Sequence, residues 1–290
     1  MYVLISQLLV NGIVTASLYA LYGVSWGIIY RTTKIFHFSH HLVFVIAGYA
    51  AALATTDLGF PYGIGLLASV AAAVGLGCSI DAFLYRTLRK LQATQTTTFL
   101  SSMGFATAGV GLILLVLSSN PRALTGFPVT MLAIGPANFT SVDLVMVIVS
   151  WALIISLLVF LAKSRYGKAI RAVGSNPEMS RNLGLTIDRV YLLVFGIGSA
   201  LFGVGAFLYA AKNCAFPTMG MLPFFMSFTA VFLGGVSSIA GHAVAGAVLG
   251  LAETLGMVVL PGEYKIMVVF GLLLVVIIMK PEGLLSRKRG

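Results

Sequence analysis

Long apolar runs, broken by short clusters of charge or by glycine and proline, set the pattern of this sequence from end to end. A helix needs about 20 consecutive apolar residues to cross the hydrocarbon layer of a membrane. Such a helix also satisfies its own backbone groups where no water is present. The runs predict helices at Val3–Tyr30, Phe38–Thr56, Tyr62–Tyr85, Thr96–Ser119, Val142–Ala162, Val190–Ala211, Met221–Ser238, Ala243–Leu260 and Tyr264–Met279. The last three are the shortest, and the seventh and eighth carry several glycines, which leaves a count of eight open. The pattern is that of an all-α polytopic membrane protein with about nine transmembrane helices. The run starting at Val3 has no basic stretch ahead of it and no small-residue cleavage site behind it. It is expected to stay as a helix rather than be removed as a signal peptide.

Composition agrees with the pattern. Of 290 residues, 59% are hydrophobic and 9% charged, with a mean hydropathy of +1.02. A soluble domain carries roughly 25% charged residues. The chain therefore reads as a single transmembrane domain, 1–290, with no soluble domain attached. The net charge of +10 is explained by membrane orientation and needs no nucleic-acid partner, because Lys and Arg collect on the cytoplasmic side.

With the N-terminus outside, the inside segments hold Arg31 and Lys34; Arg86, Arg89 and Lys90; Lys163, Arg165, Lys168, Arg171, Arg181 and Arg189; and Lys280, Arg287, Lys288 and Arg289. The outside keeps only Arg122, Lys212 and Lys265. Fifteen of 18 basic residues then lie inside, and an N-out, C-in chain requires an odd number of spans, which favours nine. Cys78 falls within a span and Cys214 at the outer end of another, too far apart in depth for a disulfide. The external stretch Asn120–Ser141 holds Pro121, Gly126, Pro128 and Pro136. It is expected to be non-helical, either a connector or a cover over the mouth of a pathway.

Few polar groups remain inside the spans. Glu253 shares a helix face with Gly246 and Gly250, and an ionisable residue at membrane depth faces a bundle interior or a water pathway. Glu253 thus lines a pathway or sits at a helix interface. Gly196, Ser199 and Gly203 form a small-residue face suited to close helix packing. Asp81 is expected to pair with Arg86. His37, His40 and His41 are spaced to share one face of a helix. No Cys, Asp or Glu lies near them in sequence to complete a metal site, so no metal is assigned. No catalytic triad or acid pair is present, which argues against an enzyme.

The inside segment 163–189 is the most informative. After a basic amphipathic turn from Lys163, Ser175-Asn176-Pro177-Glu178 reads as a helix start: a capping Ser or Asn, Pro at the first position and an acid in the first turn. Leu183-Gly184-Leu185 reads as its end, with Gly184 suited to a left-handed cap. A short rigid helix on the cytoplasmic face suits docking to a soluble partner.

These residues resemble a family. Tyr166-Gly167-Lys168-Ala169-Ile170-Arg171-Ala172, Asn176-Pro177-Glu178 and Leu183-Gly184-Leu185 are similar to the coupling loop of the branched-chain amino acid permeases of ATP-binding-cassette importers. Asn11-Gly12 with Leu18-Tyr19-Ala20-Leu21 resembles the family's opening span. Phe38-Ser39-His40 resembles its second-span signature, Gly234-Gly235 through Gly241 and Gly246 its penultimate-span stretch, and Lys280-Pro281-Glu282-Gly283-Leu284 its closing motif. The match runs in order along the whole chain. One departure is that His37 and His41 stand where the signature has Asn and Gly.

The resemblance implies a permease subunit in a bacterial plasma (inner) membrane, paired with a second permease. It implies two cytoplasmic ATPases, which carry the ATP and Mg, and an external solute-binding protein. This chain itself would bind no cofactor. Coupling would run through Ser175, Asn176, Pro177, Glu178, Met179, Ser180, Arg181, Asn182, Leu183 and Gly184. Asn11, Tyr19, His37, His40, His41 and Glu253 are the pathway candidates. The cargo would be a branched-chain amino acid or a related small polar solute such as urea or an amide. The alternative is a stand-alone secondary transporter, for which only Glu253 offers an ion-coupling acid.

Overall fold

The computed structural model describes residues 2–125, 129–258 and 265–279. Gly126, Pro128, the closing Lys280–Leu284 motif and the C-terminal basic residues lie outside the described residues. The chain is mostly helical. In order, the helices are α1 (Tyr2–Thr33), α2 (His40–Ala52), α3 (Tyr62–Ser79), α4 (Arg86–Lys90), α5 (Gln95–Leu117), α6 (Ser141–Lys163), α7 (Arg165–Ser175), α8 (Pro177–Asn182), α9 (Ile187–Asn213), α10 (Met221–Gly234), α11 (Ile239–Gly256) and α12 (Lys265–Met279). Single π-turns extend α2 over Leu53–Asp57 and join α3 to α4 over Ile80–Tyr85.

Among the described residues, six stretches are long and apolar enough to cross a membrane: Val3–Thr33, Tyr62–Lys90, Gln95–Leu117, Ser141–Lys163, Ile187–Asn213 and Ile239–Gly256. The chain is a multi-pass membrane protein. The other apolar segments carry shorter helices, α2 with its π-turn, α10 of 14 residues and α12 of 15.

Packing divides the chain into two compact units. One comprises Met1–Gly27, Pro128–Ser156 and Phe225–Gly290, and the other Ile28–Phe127 and Leu157–Phe224. In the first, α11 lies against α1 at backbone distance. A Cβ on Gly250 would meet Ala16 Cα at 2.5 Å, and one on Gly246 would strike the Tyr19 carbonyl. Trp151 Nε1 donates to Ser17 Oγ at 3.0 Å, and Trp26 is enclosed by Phe228 and Phe232.

In the second unit α3 and α9 form the corresponding close pair. Ser69, Ala73 and Gly77 meet Ser199 and Gly203, and Ser69 Oγ donates to the Gly203 carbonyl at 2.9 Å. The small face expected on α9 therefore has α3 as its partner. Without a hydrophobic drive between helices in lipid, van der Waals contact and such bonds hold the pair together.

Three local expectations are corrected. The described residues 120–125 and 129–140 are non-helical, yet they are not without regular structure. Met131–Ile134 (β1) and Ala137–Thr140 (β2) form an antiparallel hairpin, so the chain is not purely α. A two-residue turn with Gly135 at φ +58° explains it, since such hairpin turns need a positive φ. Gln7 pairs with both backbone groups of Asn138, at 2.7 and 2.9 Å, as a strand neighbour would.

Asp81 is paired with Arg89 at 2.7 Å, while Arg86 goes to Asp188. The π-turn is the reason: its wider turn adds about one residue to the helical repeat and brings Arg89, not Arg86, over Asp81. Third, His37 precedes α2 in the link 34–39, so no helix aligns it with His40 and His41.

Candidate coupling loop and buried polar groups

The loop between α6 and α9 folds as two short helices. Ser164 caps α7, its Oγ accepting from Gly167 N at 2.8 Å. Gly167 lies so close to Leu161 and Phe160 that a side chain there would meet their backbone at 2.5–2.6 Å. That contact sets the sharp turn out of α6. α7 buries Gly167, Ile170 and Val173 on one face and leaves Arg165 and Lys168 exposed.

α8 is capped at both ends by its own residues. Of the two capping candidates, Asn176 is the one used: its Oδ1 accepts from Met179 N at 2.9 Å, with Pro177 at the first helical position. At the other end Gly184 takes φ +84°. Its N–H donates to the Arg181 carbonyl at 2.9 Å, and Leu185 N–H donates to the Ser180 carbonyl at 3.0 Å. This paired ending needs a left-handed residue, which glycine adopts without strain. Ser180 alone in α8 is buried. Met179 of α8 and Leu183 at its C-cap stand 59% and 75% exposed, beside the exposed Glu178 and Arg181. The result is a preorganised polar knob with an apolar tip.

The pathway candidates divide between the two units. In the first, Tyr19 and Glu253, read separately from the sequence, are brought together: the Tyr19 hydroxyl donates to Glu253 Oε2 at 2.6 Å, with both residues buried. Asn11 is exposed and accepts a bond from Gln7 at 3.2 Å.

In the second unit the three histidines are buried. His37 Nδ1 lies 2.8 Å from the Tyr85 hydroxyl, which bonds Ser102 Oγ at 2.7 Å, and Ser102 Oγ lies 2.9 Å from Ser39 Oγ. His40 stacks on Phe202 at 4.0 Å, and His41 Nδ1 lies 2.9 Å from the Phe38 carbonyl. Tyr85, Ser102 and Arg89 do not stand out in the sequence, and Ser39 does so only within the Phe38-Ser39-His40 signature. An isolated helix serine and a tyrosine carry no spacing signal, and the Asp81–Arg89 spacing becomes meaningful only with the π-turn in place. Among the described residues no group of three His, Cys, Asp or Glu side chains is placed to hold a metal ion.

A family profile described as the permease component of the branched-chain amino acid transport system matches residues 8–277. The chain belongs to that family. Among its relatives, the high-affinity branched-chain amino acid transport system permease protein BraD of Pseudomonas aeruginosa is 30% identical over 97% of this chain and 95% of its own length. The LivH permease protein of Escherichia coli K12 shows the same identity and coverage. The solved structure of PsaBC from Streptococcus pneumoniae in complex with Fab aligns over 95% of this permease and 93% of that chain. Its TM-score is 0.53 at 15% identity, a likeness of fold alone.

Proposed function

We propose that this permease is the transmembrane subunit of an ATP-driven importer for branched-chain amino acids or a related small polar solute, in a bacterial inner membrane. In this reading residues 1–290 form one transmembrane domain of nine spans, with the N-terminus outside and segment 163–189 on the cytoplasmic face. A second permease subunit completes the pathway, an external binding protein delivers the solute, and two ATPases carry ATP and Mg. The chain itself holds no cofactor.

The observation that carries the reading is α8. A helix of six residues is too short to be stable alone. Here both ends are fixed by caps, and the apolar side chains of Met179 and of Leu183 at the C-cap are exposed. Such a knob fits a cleft on a soluble partner, and closure of the ATPases would push it and bias access from one side to the other. Asn11, Tyr19, His37, His40, His41 and Glu253 are assigned to the neighbourhood of the pathway on the family resemblance.

The test is the Glu178→Ala/Gly184→Ala double variant in the complex reconstituted in vesicles. ATP hydrolysis should continue while solute uptake falls. Uptake at the wild-type level would remove α8 from coupling.

A further inference from the structure

Asp188 stands in the first turn of α9, just beyond Gly184. Both of its carboxylate oxygens are held from α4. Arg89 Nη2 takes Oδ1 and Arg86 Nε takes Oδ2, each at 3.2 Å. Arg89 also reaches the other way. Its Nη1 lies 2.7 Å from Asp81 Oδ1, and its guanidinium sits 4.9 Å from the centre of the Tyr191 ring. The Asp81 side chain is 2% exposed and that of Asp188 is 42% exposed. One planar fork therefore spans a buried carboxylate on the π-turn and a half-exposed one at the foot of the α7–α8 loop, a task for which the guanidinium is suited and an ammonium is not.

Two further observations give this bridge a direction. A cavity of about 490 Å³ is lined by Pro177 and Arg181 of α8, Arg89 and Lys90 of α4, and Asp188 and Tyr191 of α9. Space thus lies beside α8 on the α4 side, where the Asp188 ion pairs join α4 to the first turn of α9. At its other end the π-turn carries Tyr85, bonded to His37 and Ser102. Contacts therefore run from the first turn of α9 through Arg89 to Asp81, and the same turn leads on to the buried link before α2.

We propose that Arg89 is a positioning residue for transport, carrying displacement of α8 and the first turn of α9 to the π-turn Ile80–Tyr85 and so to the His37–Tyr85 pair. The proposal rests on the reading of α8 as the coupling helix. Parting Arg89 from Asp81 would strand a buried carboxylate, which is strongly unfavourable, so the π-turn follows the loop. Such turns within helices recur at functional sites.

The test uses the intact transporter with its partner subunits in vesicles, reading ATP hydrolysis and solute uptake together. Asp188→Asn releases the foot of the loop and leaves Asp81 with its counter-charge. Uptake per ATP hydrolysed should fall about five- to tenfold, with hydrolysis and assembly retained, and Asp188→Glu should restore the ratio. Arg89→Lys should lower the ratio in the same direction. An unchanged ratio in Asp188→Asn overturns the proposal. So does joint loss of hydrolysis and uptake in an assembled complex, which would make Asp188 a structural prop. If the α8 double variant uncouples transport and Asp188→Asn does not, the bridge fails while the coupling reading stands. If neither uncouples, both fall.

Discussion

The Tyr19 hydroxyl meets the Glu253 carboxylate at 2.6 Å, between two helices that Gly246 and Gly250 allow into backbone contact. A carboxyl group in an apolar bundle is tolerated when a hydrogen-bond donor answers it. Glu253 is thus held within its own unit, at a helix interface. That placement gives its carboxyl group a structural role whether or not solute passes nearby.

Tyr19→Phe removes that donor and keeps the ring. The permease should lose about 1–3 kcal/mol of stability, read as a lower thermal midpoint in detergent. Glu253→Gln keeps an acceptor for the hydroxyl and should cost less. A double-mutant cycle isolates the bond: Tyr19→Phe should cost less when Glu253→Gln is already present than in the wild type. A role beside the pathway makes a separate demand, that Glu253→Gln lower uptake without lowering the amount of assembled complex.

The glycines divide into two sets that a substitution to alanine should separate. A Cβ on Gly250 would meet backbone of Ala16, and one on Gly203 would meet Ala73 Cβ at 2.7 Å. Gly250→Ala and Gly203→Ala should therefore push their helix pairs apart and destabilise by about 1–3 kcal/mol. Gly75 and Gly104 have nothing within 4 Å. Gly75→Ala and Gly104→Ala should be neutral or stabilising by up to about 1 kcal/mol, since alanine favours the helix. Thermal midpoints of the four variants decide it. Equal effects in both sets would mean that close approach is not what holds α1 to α11 and α3 to α9.

Where physics acts locally, the sequence is legible. Each apolar run carries a helix, because lipid leaves the backbone no alternative. The α8 signals are cap residues whose meaning depends only on their neighbours. The small faces on α9 and α11 are visible as spacings, but their partners α3 and α1 are not, because spacing names a face and not what meets it. The Tyr19–Glu253 bond joins residues 234 positions apart, which no periodicity links. Nearness in sequence, a little over one turn, suggests Arg86 as the partner of Asp81, and the π-turn between them brings Arg89 over it instead. Spacing alone puts His37 on a helix face, though α2 begins only at His40.

The caps of α8 yield a prediction at residue level. Asn176→Ala removes the acceptor for Met179 N–H, and N-cap replacement by alanine typically costs about 1 kcal/mol. Gly184→Ala places a Cβ at φ +84°, where an L-residue is strained by roughly 1–2 kcal/mol. In a helix of six residues either loss is large against the few bonds that hold it. Hydrogen exchange at the amides of Met179, Gly184 and Leu185 should speed about fivefold or more in each variant, while amides in the middle of α9 stay protected. The thermal midpoint should hardly move, because α8 buries little beyond Ser180. Faster exchange in α8 together with an unchanged global midpoint would mark the caps as devices for a local shape. A fall in the global midpoint would instead make α8 part of the fold's foundation and weaken its reading as a presented knob.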